Sequence, residues 1–157
     1  MTTMQEIDDV IGQYSGLSRQ VLEYSQLMKR LVDEAKQPGF TEASWAPLAA
    51  LIDTERFVRV GNFKEVMNWH DYVSFLTPWA QHSGWECSFK RITEAPGAVF
   101  LELEERSDVG GHVSTVNSLS VYEFGANGKV HHLDIYLQMP MPDPEMLAAY
   151  AGVDISG

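Results

Sequence analysis

The chain has 157 residues, of which 45% are hydrophobic and 21% are charged, and this balance is that of a globular domain large enough to bury a core. Its 11 Lys and Arg against 22 Asp and Glu give a formal net charge of -11, which argues against nucleic acid or an anionic membrane as partner. The single cysteine, Cys87, excludes an internal disulfide and a multi-thiolate metal site.

No segment indicates a membrane or a secretory pathway. No stretch reaches the ~18 apolar residues that span a bilayer, and residues 1–9 are polar and acidic, without a basic segment leading into an apolar one. We therefore expect a cytoplasmic protein.

The first quarter of the chain has helical periodicity. Apolar side chains recur at steps of three and four over residues 16–36 and predict an amphipathic helix, which Gln37-Pro38-Gly39 ends. A shorter helix is predicted over about residues 41–51, with Thr41 or Ser44 as its N-cap.

An aromatic segment follows. Residues 56–60 predict a short strand closed by Gly61-Asn62. Residues 64–82 predict a third helix that is aromatic on more than one face and that Pro78 should kink or shorten.

The second half of the chain has the pattern of a β-meander. Four β-prone segments, residues 85–93, 98–106, 113–124 and 129–138, are separated by glycine-containing turns, and a last short helix is predicted over 144–150. Helices followed by a strand meander predict one α+β domain over residues 1–157, with the helices on one face of the sheet.

Two local runs resemble the NTF2-like (SnoaL-like) superfamily. One is the Leu-Ile-Asp-Thr-Glu-Arg-Phe run at 51–57; the other is Val-Tyr-Glu-Phe at 121–124 with Asn-Gly-Lys-Val at 127–130 and Asp-Ile-Tyr-Leu at 134–137. The resemblance covers roughly residues 18–140 and leaves 141–157 as an extension. It implies an NTF2-like cone, in which N-terminal helices pack in a strongly curved antiparallel or mixed sheet around a pocket. It also implies a homodimer formed through the outer face of the sheet.

Strand alternation assigns the faces of the sheet. The buried face of the second strand carries Val99, Leu101, Leu103 and Glu105, and that of the last strand carries His131, Leu133, Ile135 and Leu137. The third strand is ambiguous by pattern; its position in the family-like hairpin favours Ser118, Ser120 and Tyr122 as the pocket side.

The resemblance also points to candidate catalytic positions. Ketosteroid isomerases and limonene-epoxide hydrolases of this superfamily place polar groups on the first strand, at positions that correspond here to Phe57 and Arg59. The hydrolases carry an Arg-x-Asp pair where this chain has Leu103-Glu104-Glu105, so the acid is kept as Glu105 and the arginine is lost. The isomerases have an acid where this chain has Ser120 and a basic aspartate where it has Arg59. Neither catalytic set is intact.

Arg59 with Glu105 is the pair best suited to chemistry. The guanidinium could hold a substrate oxyanion and the carboxylate could move a proton; alternatively, the two form a structural ion pair. His70, near Trp69 and Trp79 on the aromatic helix, is a second candidate for proton transfer, or else a core or surface histidine. His131 and His132 point to opposite faces of a strand and cannot chelate one ion, so no metal is predicted.

These features predict an enzyme that performs acid–base chemistry without a cofactor on a small hydrophobic substrate, for which an aromatic or steroid-like molecule is a candidate. A lyase, isomerase or dehydratase type is favoured over an epoxide-hydrolase-like one, because the water-positioning set of the hydrolases is incomplete. The alternative is a non-catalytic small-molecule-binding or association domain with the same fold. Catalytic roles are assigned to Arg59, Glu105 and His70, and substrate binding to Phe57, Trp69, Trp79, Leu103, Ser118, Ser120, Tyr122, Leu133 and Ile135.

Overall fold

A computed structural model describes residues 4–140 and Gly152 of the chain. Over this part the helices are α1 (Ile7–Val10), α2 (Gly16–Glu34), α3 (Ala46–Ala49) and α4 (Trp69–His82), with 3₁₀ turns at Ile11–Gln13 and Glu42–Trp45. The strands are β1 (Val58–Val60), β2 (Val66–Met67), β3 (Ser83–Ala95), β4 (Ala98–Val109), β5 (His112–Phe124) and β6 (Val130–Gln138). The helix predicted over 144–150 lies outside the described residues.

The six strands form one mixed sheet in the order β2-β1-β6-β5-β4-β3. Strand β1 runs parallel to β6, and the other neighbours are antiparallel. Long strands joined by hairpins make the meander, and Gly110 and Gly111 form the β4–β5 turn with φ angles of 62° and 85°, which favour glycine at both positions. The predicted α+β fold is thus confirmed.

The inner face of the sheet packs against α2 and α4. Val99 and Leu101 of β4 and Leu133 of β6 are fully or almost fully buried, as the strand alternation predicts. Helix α2 contributes a stripe of buried residues that includes Val21, Leu22, Leu31 and Val32. The core therefore lies between the sheet and these two helices.

Two polar contacts fix α2 at its ends. At its N-terminus, Glu94 of β3 accepts hydrogen bonds from the backbone N–H of Ser18 (3.0 Å) and from its hydroxyl (2.7 Å), which satisfies a donor of the first helical turn. Past its C-terminus, Lys36 Nζ donates to the carbonyls of Val32 (2.7 Å) and Ala80 (2.6 Å). These carbonyls belong to α2 and α4, so one ammonium group joins the two helix ends.

The N-terminal segment, which the sequence pattern did not reveal, covers the free edge of β3. Gln5 forms an isolated bridge with Phe89, whose N–H donates to the Gln5 carbonyl at 2.6 Å. Ile7 and Val10 of α1 are buried in the core. The segment thus pairs backbone groups of an edge strand that would otherwise be open to another chain.

The helix predicted over 64–82 is wrong at its start. Lys64 has a φ of 63°, which is left-handed and cannot belong to an α-helix, and Val66 lies in β2. The helix begins after Asn68, whose side chain accepts a hydrogen bond from the Asp71 N–H at 2.8 Å. It then continues through Pro78 to His82.

The helix predicted over 41–51 is also wrong in type. A 3₁₀ turn is followed by a single α-helical turn that has Pro47 near its start. Thr41 is the N-cap, and its backbone N–H donates to the Ser44 hydroxyl at 3.0 Å. Within residues 4–140, no helix is long and apolar enough to cross a membrane.

Candidate functional site

A cavity of about 310 Å³ lies between the inner face of the sheet and helices α2 and α4. Its apolar lining residues are Met28, Phe75, Leu76, Trp79, Trp85, Leu103, Val116, Leu133, Ile135 and Leu137. Hydroxyl groups come from Tyr24, Ser25, Tyr72, Ser107, Ser120 and Tyr122, and the charged lining residues are Arg59 and Glu105. An apolar wall with few polar groups is typical of small-molecule sites.

Arg59 occupies the middle of β1, in register with Leu133 of β6. Its guanidinium lies over the ring of Tyr72, with Cζ 4.9 Å from the ring centroid, and its Nη1 lies 3.4 Å from Glu65 Oε1. The side chain is only 13% exposed, and its Nε is buried without a hydrogen-bond partner. The arginine is thus held from one side and keeps one unpaired donor.

Glu65 is held by the turn between β1 and β2. Its Oε2 accepts a hydrogen bond from the Phe63 N–H at 2.9 Å. Partial burial works to raise the pKa of Glu65, but hydrogen bonds from the Glu65 and Phe63 backbone N–H groups, together with the Arg59 charge, hold it below its ordinary value. The lowered pKa keeps Glu65 negative beside Arg59 at neutral pH.

Glu105 lies near the end of the inward-facing row of β4. Its Oε1 accepts a hydrogen bond from the indole Nε1–H of Trp85 at 2.8 Å. The flanking residues Glu104 and Arg106 pair with each other at 3.0 Å instead. Within the described part of the chain, no Lys, Arg or His nitrogen pairs with Glu105.

Three tyrosines lie between these two charged groups. Tyr72 contacts Arg59, and the rings of Tyr24 and Tyr122 meet edge to face at 5.4 Å. Burial, reinforced by Tyr72 and Tyr122, raises the pKa of Tyr24 well above its ordinary value. Burial, reinforced by Tyr72 and Glu105, likewise raises the pKa of Tyr122. Both phenols therefore stay protonated at neutral pH and can donate hydrogen bonds.

Most of the predicted site residues line this cavity. They are Arg59, Glu105, Trp79, Leu103, Ser120, Tyr122, Leu133 and Ile135. The structural ion pair considered as the alternative for Arg59 and Glu105 is not formed, because each has a different partner. The two residues are three strands apart in the sheet, about 14 Å along its hydrogen-bonding direction.

Four predicted residues do not line the cavity. His70 is exposed in the first turn of α4; its placement relied on a helical stripe through Val66, which belongs to β2. Phe57 is 2% exposed and packs beneath Trp69 and Tyr72, so Phe57 and Trp69 support the wall from behind. Ser118 is buried on the predicted face, between Leu103 and Leu137 in register, but does not reach the cavity.

The sequence patterns missed the contribution of α2. Tyr24 and Met28 belong to the apolar stripe that predicts an amphipathic helix, and the pattern assigns them no site role, yet both line the cavity together with Ser25. The available signal was a tyrosine within a buried stripe, since its hydroxyl needs a partner there. Trp85 is the first residue of a predicted strand, and the sequence pattern does not reveal that its indole N–H donates to Glu105.

The remaining candidates carry no chemistry here. Burial, followed by Glu105 and Glu6, raises the pKa of Cys87 to about 12, so this thiol is a poor nucleophile. His132 pairs with Asp134 at 2.8 Å. Among the residues that the structure describes, no group of three or more His, Cys, Asp or Glu could hold a metal ion.

A second hollow, of about 500 Å³, lies between the N-terminal segment, α2, β3 and β4. It is lined mostly by charged side chains, of which Lys29 and Asp33 pair with each other at 2.9 Å. It touches the first cavity at Ser25, which lines both. The first cavity, with its apolar wall and unpaired donors, is the better candidate site.

No protein-family model matches the chain, and no curated protein matches its sequence. Several solved structures, however, are similar to it in fold. A protein from Shewanella putrefaciens described as a SnoaL-like polyketide cyclase is 8% identical and aligns over 98% of each chain with a TM-score of 0.66. The BvnE pinacolase of Penicillium brevicompactum is 10% identical over 86% of this chain and 91% of its own, with a TM-score of 0.62. An LEH-like epoxide hydrolase of M. tuberculosis is 17% identical over 72% and 84%, with a TM-score of 0.53. At these identities the similarity shows the fold, and it confirms the predicted NTF2-like fold.

Proposed function

On this NTF2-like fold, we propose that the chain is an enzyme that transfers protons on a small hydrophobic substrate bearing a carbonyl or hydroxyl oxygen. The observation that carries the proposal is the cavity, whose largely apolar wall contains the carboxyl group of Glu105, the guanidinium of Arg59 and the hydroxyl groups of three tyrosines. A base and hydrogen-bond donors in one largely apolar site are the components of acid–base catalysis.

Each polar group has a separate role in this reaction. Glu105 takes a proton from the carbon next to the carbonyl, and the electron pair of the broken C–H bond forms the C=C bond of an enolate. The enolate oxygen accepts hydrogen bonds from donors of the residues that line the cavity, which include the tyrosine hydroxyl groups and the guanidinium of Arg59. Delivery of the proton to a different carbon of a conjugated enolate, or to the opposite face of the same carbon, gives an isomerase. Departure of a group, with its bonding electrons, from the next carbon as the enolate collapses gives a lyase.

The neighbours in structure support an enzyme in a general way, because proteins of this fold include one named a pinacolase and one named an epoxide hydrolase. A hydrolase of the epoxide type is disfavoured, since Leu103 stands in this chain where the family's arginine would be expected. The lyase or isomerase type remains the proposal.

A non-catalytic binding domain is the second candidate. It is favoured by the partners that the two charged groups already have, since Glu65 holds Arg59 and Trp85 holds Glu105. Such a domain would bind the same class of ligand and leave it unchanged.

The two candidates are separated by proton exchange on a simple ketone. The α-protons of 2-tetralone exchange with solvent through its enolate, and NMR in D₂O follows the exchange without knowledge of the natural substrate. We expect the protein to accelerate exchange and Glu105→Gln to lower the acceleration at least about 100-fold, as loss of a general base does. Glu104→Gln is the matched control, because Glu104 precedes Glu105 but pairs with Arg106 outside the cavity.

Melting curves show whether each variant is folded. Binding of 2-tetralone without accelerated exchange would favour the binding domain. Acceleration that survives Glu105→Gln would overturn the role of Glu105, and neither binding nor exchange would overturn the proposed site.

A further inference from the structure

The charge of Arg59 is balanced from outside the cavity. Arg59 is the only cationic side chain among the residues that line the cavity in the described part of the chain. Its Nη1 lies 3.4 Å from Glu65 Oε1, and Glu65 is not itself a lining residue. The second charged lining residue, Glu105, adds a carboxyl group and no cation.

The position of Glu65 depends on the local backbone. A Cβ atom on Gly61 would stand 1.6 Å from Glu65 Oε1 and 2.8 Å from Arg59 Nη1, so only glycine leaves room for the carboxylate there. Phe63 N–H donates to the other carboxylate oxygen at 2.9 Å. Lys64 takes a left-handed φ of 63°, which closes the turn and returns Glu65 toward β1. The backbone of the β1–β2 turn thus holds Glu65 next to Arg59, so this ion pair is not a chance contact of two side chains in solvent.

This arrangement separates two properties of Arg59. The positive charge is compensated by Glu65, whereas the guanidinium still lines the cavity and its N–H groups remain hydrogen-bond donors. A neutral carbonyl or hydroxyl oxygen of a substrate needs only a hydrogen-bond donor in order to bind there. A carboxylate also needs an uncompensated positive charge to offset the loss of its hydration.

We infer that Glu65 is a specificity-determining residue that restricts the cavity to substrates whose oxygen is uncharged, such as ketones, aldehydes and alcohols, and excludes carboxylates. The inference rests on the proposed function, since it assumes that the cavity is the substrate site. Glu65 acts through Arg59 and touches no substrate.

The test compares two probes that share one aromatic body, 2-acetylnaphthalene and 2-naphthoate, by titration calorimetry. We expect the wild-type protein to bind the ketone and to bind the carboxylate at least about tenfold more weakly. Glu65→Gln keeps the shape of the side chain but removes its charge. It should therefore raise the affinity for 2-naphthoate about tenfold and change that for the ketone less than about twofold.

A second variant removes the compensation of the Arg59 charge in a different way. Gly61→Ala keeps the charge of Glu65 but displaces its carboxylate from Arg59, so it should shift the preference toward 2-naphthoate as Glu65→Gln does. Glu23→Gln is the control, because it breaks the ion pair with Arg19 (3.2 Å) on the exposed face of α2 and should leave both affinities unchanged.

The affinity ratio of the two probes distinguishes this role from a structural one, because a loosened turn would weaken both probes together. If the wild-type protein binds the ketone and the ratio is unchanged in Glu65→Gln, the inference is overturned and the proposed site stands. If the wild-type protein binds neither probe at millimolar concentration, the cavity is not a binding site and both proposals fail. A shifted ratio without proton exchange on 2-tetralone would leave Glu65 as a specificity determinant of a binding domain.

Discussion

Two residues that line the cavity carry buried polar atoms without a hydrogen-bond partner. Within the described residues, the buried side-chain polar atoms that lack a partner are the Tyr24 hydroxyl, Arg59 Nε and the Ser118 hydroxyl. Tyr24 and Arg59 line the cavity. Buried polar groups are nearly always paired in native proteins, so we interpret these two donors, on residues that line the cavity, as groups that a bound ligand pairs.

Tyr24→Phe tests this interpretation through stability. The hydroxyl has no partner within hydrogen-bonding distance and angle, although the Tyr72 hydroxyl lies near it, so its removal should change the free energy of unfolding by no more than about 1 kcal/mol. The same change should weaken binding of 2-acetylnaphthalene. Urea denaturation and calorimetry measure the two effects.

Ser18→Ala is the contrasting variant. Its hydroxyl is buried but donates to Glu94 at 2.7 Å, so its loss should cost about 1–2 kcal/mol of stability and leave ligand binding intact. If Tyr24→Phe destabilises the protein as much as Ser18→Ala does, the Tyr24 hydroxyl has a structural partner and the interpretation is wrong.

At the scale of elements, the hairpin of β1 and β2 is held by Arg59 and Glu65. The folded-state pKa of Glu65 is below its ordinary value, so its contribution to stability is fully present above the unfolded-state pKa, about 4.3. That contribution is lost as the pH falls through the lower, folded-state value. Since the Glu65 side chain is 36% exposed, we expect it to amount to about 1 kcal/mol or less.

Urea denaturation from pH 7 to about pH 3 gives the free energies of unfolding of the wild-type protein and of Glu65→Gln for comparison. The wild-type protein should be the more stable at pH 7, and the difference should shrink toward zero at the acid end, where Glu65 becomes protonated. A difference that stays constant over this range would mean that the carboxylate charge does not hold the hairpin.

The elements that the sequence predicts well are those whose signal is local. The α2 stripe, the four long strands and the Gly110-Gly111 turn follow from periodicity and turn chemistry. Strand β2 was missed because two residues carry no periodicity; its existence depends on Gly61 and on the left-handed φ of Lys64. Helix α1 was missed because it is one turn long and its burial depends on β3.

The same distinction applies to the site. Alternation along β4 placed Glu105 on the inner face, and alternation along β6 placed Leu133 and Ile135 there. The partners of the charged residues could not be predicted in this way, because they depend on contacts between separate elements. An example is the hydrogen bond that Trp85 of β3 donates to Glu105 of β4. His70 was misplaced because a helical phase was extended across a segment that is not helical.

At the scale of the molecule, the outer face of the sheet remains the predicted interface of a homodimer. Tyr136 is 57% exposed on it and lies in register with Leu119, while Phe100 lies in register with Val121. Some charged groups of this face pair with one another, namely Arg91 with Glu102 and Arg106 with Glu104, and His132 hydrogen-bonds Asp134. A second copy would therefore meet fewer unpaired charges there than the net charge of -11 for the whole chain suggests.

Light scattering at micromolar concentration should give the mass of a dimer for the wild-type protein. Tyr136→Glu should shift the mass toward the monomer, because an unpaired carboxylate buried at the centre of an interface costs several kcal/mol. Phe63→Glu is the control: Phe63 is 79% exposed in the β1–β2 turn and not in a strand of the meander, so its replacement should leave the mass unchanged. A wild-type monomer would show that this face is not an interface between copies of the chain, and a dimer that persists in Tyr136→Glu would place the interface elsewhere on the surface.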